Sequence, residues 1–137
     1  MTADHTEITK STMKIGERLV ELCQADKSIE AIDELYAEHC EHHECMESGD
    51  PNWPRITKGR DAIRKTTEAW YAMNEIHSST TTGPYPNGNE FIVMMEVDLT
   101  PKAGPMEGKR FTMTEACHYI VEDGKIVRGT FFYPPFC

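Results

Sequence analysis

The sequence predicts an α+β fold, in which three helices are packed on a mainly antiparallel sheet. Up to about residue 73, apolar residues recur every three or four positions, which is typical of amphipathic helices. From residue 76 onward, apolar and β-branched runs alternate with Gly, Pro and Asn turns, which predicts strands. No linker or repeat divides the 137 residues, so we expect one domain over 1–137. Helices collected before an antiparallel sheet indicate the α+β class.

Three helices are predicted from this spacing. The first begins near residue 7, ends at Asp26 and Lys27, and carries Ile8, Met13, Ile15, Leu19, Leu22 and Cys23. Ser28 is a plausible N-cap for a second helix with Ile29, Ile32, Leu35 and Tyr36. After a loop over 47–59, a third helix is expected from Arg60 to Met73, with one face made by Ile63, Thr66, Trp70 and Met73.

Four long strands follow the third helix in the predicted order. They cover 76–83, 91–100, 110–121 and 125–133. The segment 84–89 contains Asn87-Gly88 and predicts a turn, and Asp123-Gly124 is a second hairpin signal. The segment between the second and third of these strands predicts a longer connection.

Charge and composition exclude several classes of function. A net charge of −9 leaves no basic surface to neutralise phosphates, so we expect no nucleic acid partner and no attachment to an anionic membrane. The first twenty residues carry charges throughout and no stretch reaches the length of a membrane span, which favours the cytoplasm. Five cysteines without paired spacing, including the final Cys137, predict free thiols.

The element order resembles the nuclear-transport-factor-2-like superfamily, and most closely its SnoaL-like branch. The residues that carry the resemblance are LYAEHCEHHEC, TKGRDAIRKTTEAWY, EIHSSTTTGP and MTEACHYIVEDGKIVRGTFFY, which extend over nearly the whole chain from about residue 10. The SnoaL-like branch includes polyketide cyclases and is related to ketosteroid isomerases. The resemblance implies a cone-shaped α+β barrel with a strongly curved, mixed sheet. It also implies a homodimer formed through the open sheet faces.

In that fold the unusual run HCEHHEC, residues 39–45, lies on a short strand before the third helix. Side chains alternate on a strand, and positions i and i+4 are about 13 Å apart, too far to share one ion. His42 and Glu44 could share a metal only with ligands from other strands, so we predict no metal site. The resemblance implies that Glu44 faces the interior of the cone, which takes Cys40, His42 and Met46 with it.

Candidate pocket residues come from the later strands as well. Side chains alternate on a strand, so Glu115 lies on the same face as Phe111, Met113, Cys117 and Tyr119. This face is mostly apolar and is expected to point inward. A carboxyl group among apolar neighbours has a raised pKa, which suits a general acid or base. The resemblance adds His77 at the start of its strand. Trp70 and Tyr133 are further candidates for the pocket wall.

The resemblance and these residues together imply two functions, and metal-dependent chemistry is a third possibility that would require bound metal in a fixed ratio to protein. The first is an isomerase, cyclase or lyase that needs no cofactor, with Glu44, His77 and Glu115 as acid–base residues. Its small apolar carbonyl ligand would contact His42, Trp70, Cys117, Tyr119 and Tyr133. The alternative is a ligand-binding or dimerising module without catalysis, in which the same carboxyl groups are structural.

Overall fold

The computed structural model describes residues 4–135 and contains three helices and six strands. In chain order these are α1 (His5–Gln24), α2 (Ser28–Leu35), β1 (Tyr36–His43), β2 (Ile56–Lys58), α3 (Arg60–Met73), β3 (Asn74–Asn87), β4 (Glu90–Pro101), β5 (Phe111–Glu122) and β6 (Lys125–Phe132). The predicted α+β class, with helices on a mixed sheet, is confirmed. The free thiol predicted at Cys137 lies outside the described residues.

The helix boundaries follow from local chemistry, with two corrections. Asp4 begins α1, because its Oδ1 accepts a hydrogen bond of 2.8 Å from the backbone N–H of Glu7. Tyr36 was predicted on the second helix, but its backbone is already extended and it begins β1. Met73 was predicted on the buried face of the third helix. It is 45% exposed, because it is the last helical residue before the chain turns into β3.

The six strands form one curled sheet in the order β2-β1-β6-β5-β4-β3. β1 runs parallel to β6 and every other neighbouring pair is antiparallel. The sheet is therefore mixed, as expected, but it is not a closed barrel, since β2 and β3 remain edges. The predicted turn over 84–89 is shorter than expected: β3 continues to Asn87, with a register shift between Thr82 and Tyr85.

The sheet has a buried concave face and an exposed outer face. On β4, Phe91, Val93, Val97 and Leu99 are buried and Ile92, Met94 and Glu96 are exposed, as alternation requires. The helix α1 covers the concave face at close range. A Cβ atom on Gly16 would lie 2.7 Å from Cβ of Pro84, so only glycine allows this approach. This packing places the inward side chains of β4, β5 and β6 in the interior of the domain.

The hydrophobic core includes residues from the helices and from the sheet, among them Leu19 and Ile32 on the helices and Ile126 and Phe131 on β6. No helix within residues 4–135 is long and apolar enough to cross a membrane. The four cysteines in this part of the chain are all free: Cys23, Cys40, Cys45 and Cys117.

Candidate functional site

Glu44 lies directly after β1, where the chain leaves the sheet. Its backbone N–H donates a 2.7 Å hydrogen bond to the carbonyl of Arg55, which fixes the main chain beyond the strand. Its carboxyl group accepts a 2.9 Å hydrogen bond at Oε2 from the hydroxyl of Tyr133, the residue after β6. The thiol of Cys45 donates to the carbonyl of Tyr133 at 3.4 Å. The parallel pairing of β1 with β6 thus brings two residues 89 positions apart into contact.

Glu115 lies on β5 and faces the same interior. It is paired with Met95 of β4. On its other side, the register Cys117↔Phe131 and Ala116↔Phe132 puts the next step of β6, Tyr133, opposite Glu115. The thiol of Cys117 approaches Oε1 of Glu115 at 3.6 Å. Glu115 is half-buried and Oε2 has no hydrogen-bond partner among residues 4–135. Tyr133 thus extends the chain beyond β6 on the side of Glu115 and donates its hydroxyl to Glu44.

The electrostatics of the two carboxyl groups are coupled. Burial, followed by repulsion from Glu44, raises the pKa of Glu115 to about 7. Burial also raises the pKa of Glu44, and the hydrogen bond from Tyr133 opposes that rise. Burial and the neighbouring Glu44 raise the pKa of Tyr133, so this hydroxyl keeps its proton and remains a donor. Near neutral pH the arrangement can hold one carboxylic acid beside one carboxylate.

A second buried polar group lies deeper in the core, around His42. Its Nε2 is 3.1 Å from the hydroxyl of Tyr36, and its ring packs edge-on against Phe131. Burial lowers the pKa of His42 to about 3, so the ring is neutral. Gly129 makes room for it: a Cβ there would lie 3.1 Å from both the His42 ring and the Tyr119 ring. His42 and Tyr119 are thus packed into the core under β6.

His77 does not join the carboxyl groups, and its assignment to the pocket is corrected. The side chain is exposed, and Nε2 makes a 2.7 Å hydrogen bond with the hydroxyl of Thr100. Thr100 belongs to the even-numbered positions of β4, which line the outer face. The alternation expected along 76–83 fails because the register shifts between Ile76 and Ser78. Farther along β3 a side chain points inward again, since Thr81 is buried.

Trp70 and its neighbour Tyr71 lie on the last turns of α3. Trp70 is half-buried and its ring meets that of Tyr71 edge-on, with centroids 5.3 Å apart. Tyr71 was not predicted as a site residue. The spacing 63, 67, 70, 71 fits one helical face, so a full search of the 3.6-residue period would have found it.

Tyr71 also lines a cleft of about 310 Å³ between the α1–α2 turn and α3, together with Asp26, Ser28, Ile29 and Glu68. A wider cleft of about 610 Å³ lies at the start of α3, beside Lys58 and Arg60. Glu44 and Glu115 line neither cleft. Burial raises the pKa of the Tyr71 hydroxyl, and the hydrogen bond with Ser28 opposes that rise.

The described residues include no group of three or more His, Cys, Asp or Glu side chains that could hold a metal ion. The polar atoms of HCEHHEC are directed to separate partners. His42 contacts Tyr36, whereas His43 contacts Glu41 at 2.9 Å. Glu44 contacts Tyr133.

Comparison with known proteins places these features in a family. Residues 10–133 match the family model of the SnoaL-like domain. A structure from Mesorhizobium loti, named "putative SnoaL-like polyketide cyclase" together with the words "carbohydrate phosphatase", is 32% identical. The alignment covers 88% of this chain and 97% of that one, with a TM-score of 0.80.

More distant structures share the fold. A "putative polyketide cyclase" from Silicibacter sp. TM1040 is 14% identical, with a TM-score of 0.67 over 91% of this chain and 90% of that one. An NTF2-like protein of unknown function from Burkholderia pseudomallei is 11% identical, with a TM-score of 0.71 over 90% and 91%. No curated protein matches the sequence.

Proposed function

Because the chain belongs to the SnoaL-like domain family, we propose that it binds a small molecule and acts on it as an isomerase, cyclase or lyase without a cofactor. The substrate class is an apolar compound with a carbonyl group. The observation that carries the proposal is the arrangement of Glu44, Tyr133 and Glu115, in which a hydrogen-bonded carboxylate lies beside a carboxyl group whose pKa is about 7.

The two carboxyl groups suit two steps of one proton transfer. Glu44, held at Oε2 by Tyr133, removes a proton from the carbon next to the carbonyl, and the C–H electron pair moves into an enolate. Glu115 in its acid form donates a hydrogen bond to the developing oxyanion, which lowers the barrier. Glu44 then returns the proton to carbon, so the site ends in its starting state.

The other predicted pocket residues have different proposed roles. Cys117 is adjacent to Glu115 and is proposed to contact the ligand there. Trp70 is proposed to contribute to the wall beside Tyr71. The contacts of His42 and Tyr119 with Tyr36, Phe131 and Gly129 favour a supporting role for both.

The first test needs only the deprotonation step. With 2-tetralone as a neutral apolar ketone in D₂O near pD 7, proton NMR measures exchange of the hydrogens next to the carbonyl for deuterium. We expect the wild-type protein to accelerate exchange and Glu44→Gln to reduce the acceleration by about 10²–10⁴-fold, the usual effect of removing a general base. Glu115→Gln should also slow exchange, because an amide is a weaker donor to the oxyanion.

His77→Ala is the matched control, since His77 lies on the outer face and should leave exchange unchanged. If the protein binds 2-tetralone but all four proteins exchange it at the buffer rate, the non-catalytic binding module replaces the enzyme. Equal acceleration by wild type and Glu44→Gln would remove Glu44 from the mechanism.

We also propose that the protein is a homodimer in the cytoplasm, paired through the outer face of the sheet. Support comes from exposed apolar side chains on neighbouring strands: Tyr85, Ile92, Met94 and Phe132 are between 36% and 60% exposed. The register places Ile92 opposite Tyr85, and Ala116 between Met94 and Phe132. An exposed apolar patch of this kind is typical of a protein–protein interaction site.

A further inference from the structure

Cys117 and Glu115 are neighbours on the inward face of β5, two positions apart. The thiol of Cys117 is fully buried, and its Sγ donates a hydrogen bond to Oε1 of Glu115 at 3.6 Å. On the adjacent strands Cys117 is paired with Val93 of β4 and Phe131 of β6, both of which are apolar. The thiol thus has apolar neighbours on both sides, and its hydrogen bond goes to the carboxyl group of Glu115.

The thiol of Cys117 keeps its proton throughout the range in which Glu115 titrates. Burial, followed by the neighbouring carboxyl group of Glu115, raises the pKa of Cys117 well above the usual range of a thiol. Burial and then repulsion from Glu44 raise the pKa of Glu115 to about 7, and the hydrogen bond from Cys117 opposes that rise. Cys117 is therefore a donor to Glu115 both below and above neutral pH.

The two oxygens of the Glu115 carboxyl group differ in their surroundings. Oε1 accepts from the thiol, whereas Oε2 has no hydrogen-bond partner within residues 4–135. No fully buried side-chain nitrogen or oxygen of those residues lacks a partner, so Oε2 contacts accessible space. An acid proton on Oε1 would face the hydrogen of the thiol. The proton of the acid form is therefore favoured on Oε2, where it can be donated to a ligand.

We propose that Cys117 is a positioning residue for the reaction: its thiol holds Oε1 of Glu115, so that Oε2 carries the acid proton and presents it to the developing oxyanion. The inference rests on the proposed function, in which Glu115 is the acid and Glu44 is the base. This role of Cys117 is exerted through Glu115 and needs no contact between the sulfur and the ligand.

Titratable groups on several elements also act on Glu115 or Cys117. They are Glu44 after β1, Cys23 of α1, Tyr71 of α3 and Tyr119 of β5. Burial raises the pKa of the Cys23 thiol and of both tyrosine hydroxyls, so these three groups are neutral near pH 7. Met95, the neighbour of Glu115 on β4, carries no charge. A substitution at Cys117 therefore removes one hydrogen bond and leaves the charge around Glu115 unchanged.

The first measurement follows the protonation of Glu115 directly. In protein with ¹³C-labelled glutamate, NMR records the side-chain carboxyl carbon of Glu115 during a pH titration, with Glu115→Gln for its assignment. We expect a midpoint near pH 7 in the wild type. In Cys117→Ala the midpoint should be higher by about half a pKa unit to one unit, because the carboxylate loses one hydrogen bond. Cys117→Ser should lower the midpoint, since a hydroxyl is a stronger donor than a thiol.

The second measurement is the exchange of 2-tetralone in D₂O, with the maximal rate and KM determined separately. We expect Cys117→Ala to lower the maximal rate about 10-fold, the effect of one well-placed hydrogen bond, and to leave KM unchanged. The pH above which the rate falls should rise together with the NMR midpoint. Cys117→Ser should recover most of the rate.

Cys40→Ala is the matched control. Cys40 is also a fully buried thiol, but it donates to the backbone carbonyl of Glu41 at 3.8 Å. The substitution removes the same atom from the core without touching Glu115, so the midpoint and the exchange rate should stay at their wild-type values. Circular dichroism confirms that the variants are folded. If Cys117→Ala is unfolded, Cys117→Ser decides alone, and an unchanged or higher midpoint in it overturns the inference.

Three other results would also overturn the role of Cys117. A midpoint that is the same in the wild type and Cys117→Ala would mean that the thiol does not hold the carboxyl group. Equal shifts in Cys117→Ala and Cys40→Ala would reflect a loosened core. A shifted midpoint with an unchanged exchange rate would remove Cys117 from the reaction. These results differ from failure of the proposed function, in which the wild type itself does not accelerate exchange, whatever the midpoints are.

Discussion

At the scale of single residues, Glu115 makes stability depend on pH. Its pKa of about 7 in the folded protein exceeds the ordinary value of 4.5. Between these values the folded state holds a proton that the unfolded state has lost, so the free energy of unfolding decreases as pH rises from about 4.5 to 7. The loss is complete about one unit above pH 7, and it amounts to about 3 kcal/mol at 1.36 kcal/mol per pKa unit.

Glu115→Gln removes this penalty. We expect the variant to gain stability relative to wild type as pH rises from 4.5 to 7, with a constant difference above that range. Urea unfolding of both proteins at several pH values measures this difference in the free energy of unfolding. Glu122→Gln serves as the exposed control. A difference that does not change with pH would show that Glu115 is not shielded from water.

The sequence was sufficient to predict that Glu44 and Glu115 face inward, but it was not sufficient to place all the residues around them. Parity along 111–119 placed Glu115 on the inward face, because Phe111, Cys117 and Tyr119 mark that face by their own hydrophobicity. His77 could not be placed in the same way. One register shift reverses the face to which the neighbouring side chains point, and the residue types do not reveal such a shift. Tyr71 was missed although its spacing places it on the same face of α3 as Ile63, Thr67 and Trp70.

At the scale of elements, α1 depends on Gly16. Its position against Pro84 and Phe91 leaves no space for a methyl group. Gly16→Ala would normally favour a helix by about 1 kcal/mol, but here the helix must shift away from β3. We expect a net loss of about 1–3 kcal/mol in the free energy of unfolding, measured by urea denaturation. Ser11→Ala, on the exposed side of α1, should stay within about 0.5 kcal/mol of wild type.

A neutral or stabilising effect of Gly16→Ala would mean that α1 lies farther from the sheet.

The existence and order of the helices could be predicted from periodicity alone. Their ends could not, as Tyr36 illustrates: it satisfies a helical spacing, but pairing with Ile126 of β6 draws it into β1. That partner is 90 residues away, and local patterns carry no information on it.

At the scale of the whole molecule, the exposed apolar patch on the outer face of the sheet predicts that two copies associate through this face. Met94→Lys places a charge in the exposed apolar patch, next to Ala116 and in line with Phe132. We expect wild type to sediment as a dimer and Met94→Lys to shift toward monomer with its circular dichroism unchanged, because a buried unpaired charge is costly at an interface. Ser11→Lys is the control of equal charge. Dimers that persist unchanged in Met94→Lys would move the interface elsewhere.

The parallel pairing of β1 with β6 also sets the order in which the molecule can be completed during synthesis. Helices α1 and α2 and strand β1 emerge from the ribosome early, whereas β6, the long neighbour of β1, is made after the other strands within residues 4–135. Contacts so far apart in sequence form late. Until β6 emerges, the HCEHHEC segment has its exposed backbone on one side and no Tyr133 beside Glu44. A nascent chain without β6 therefore carries Glu44 and Glu115 but lacks the Tyr133 hydroxyl that donates to Glu44 in the folded domain.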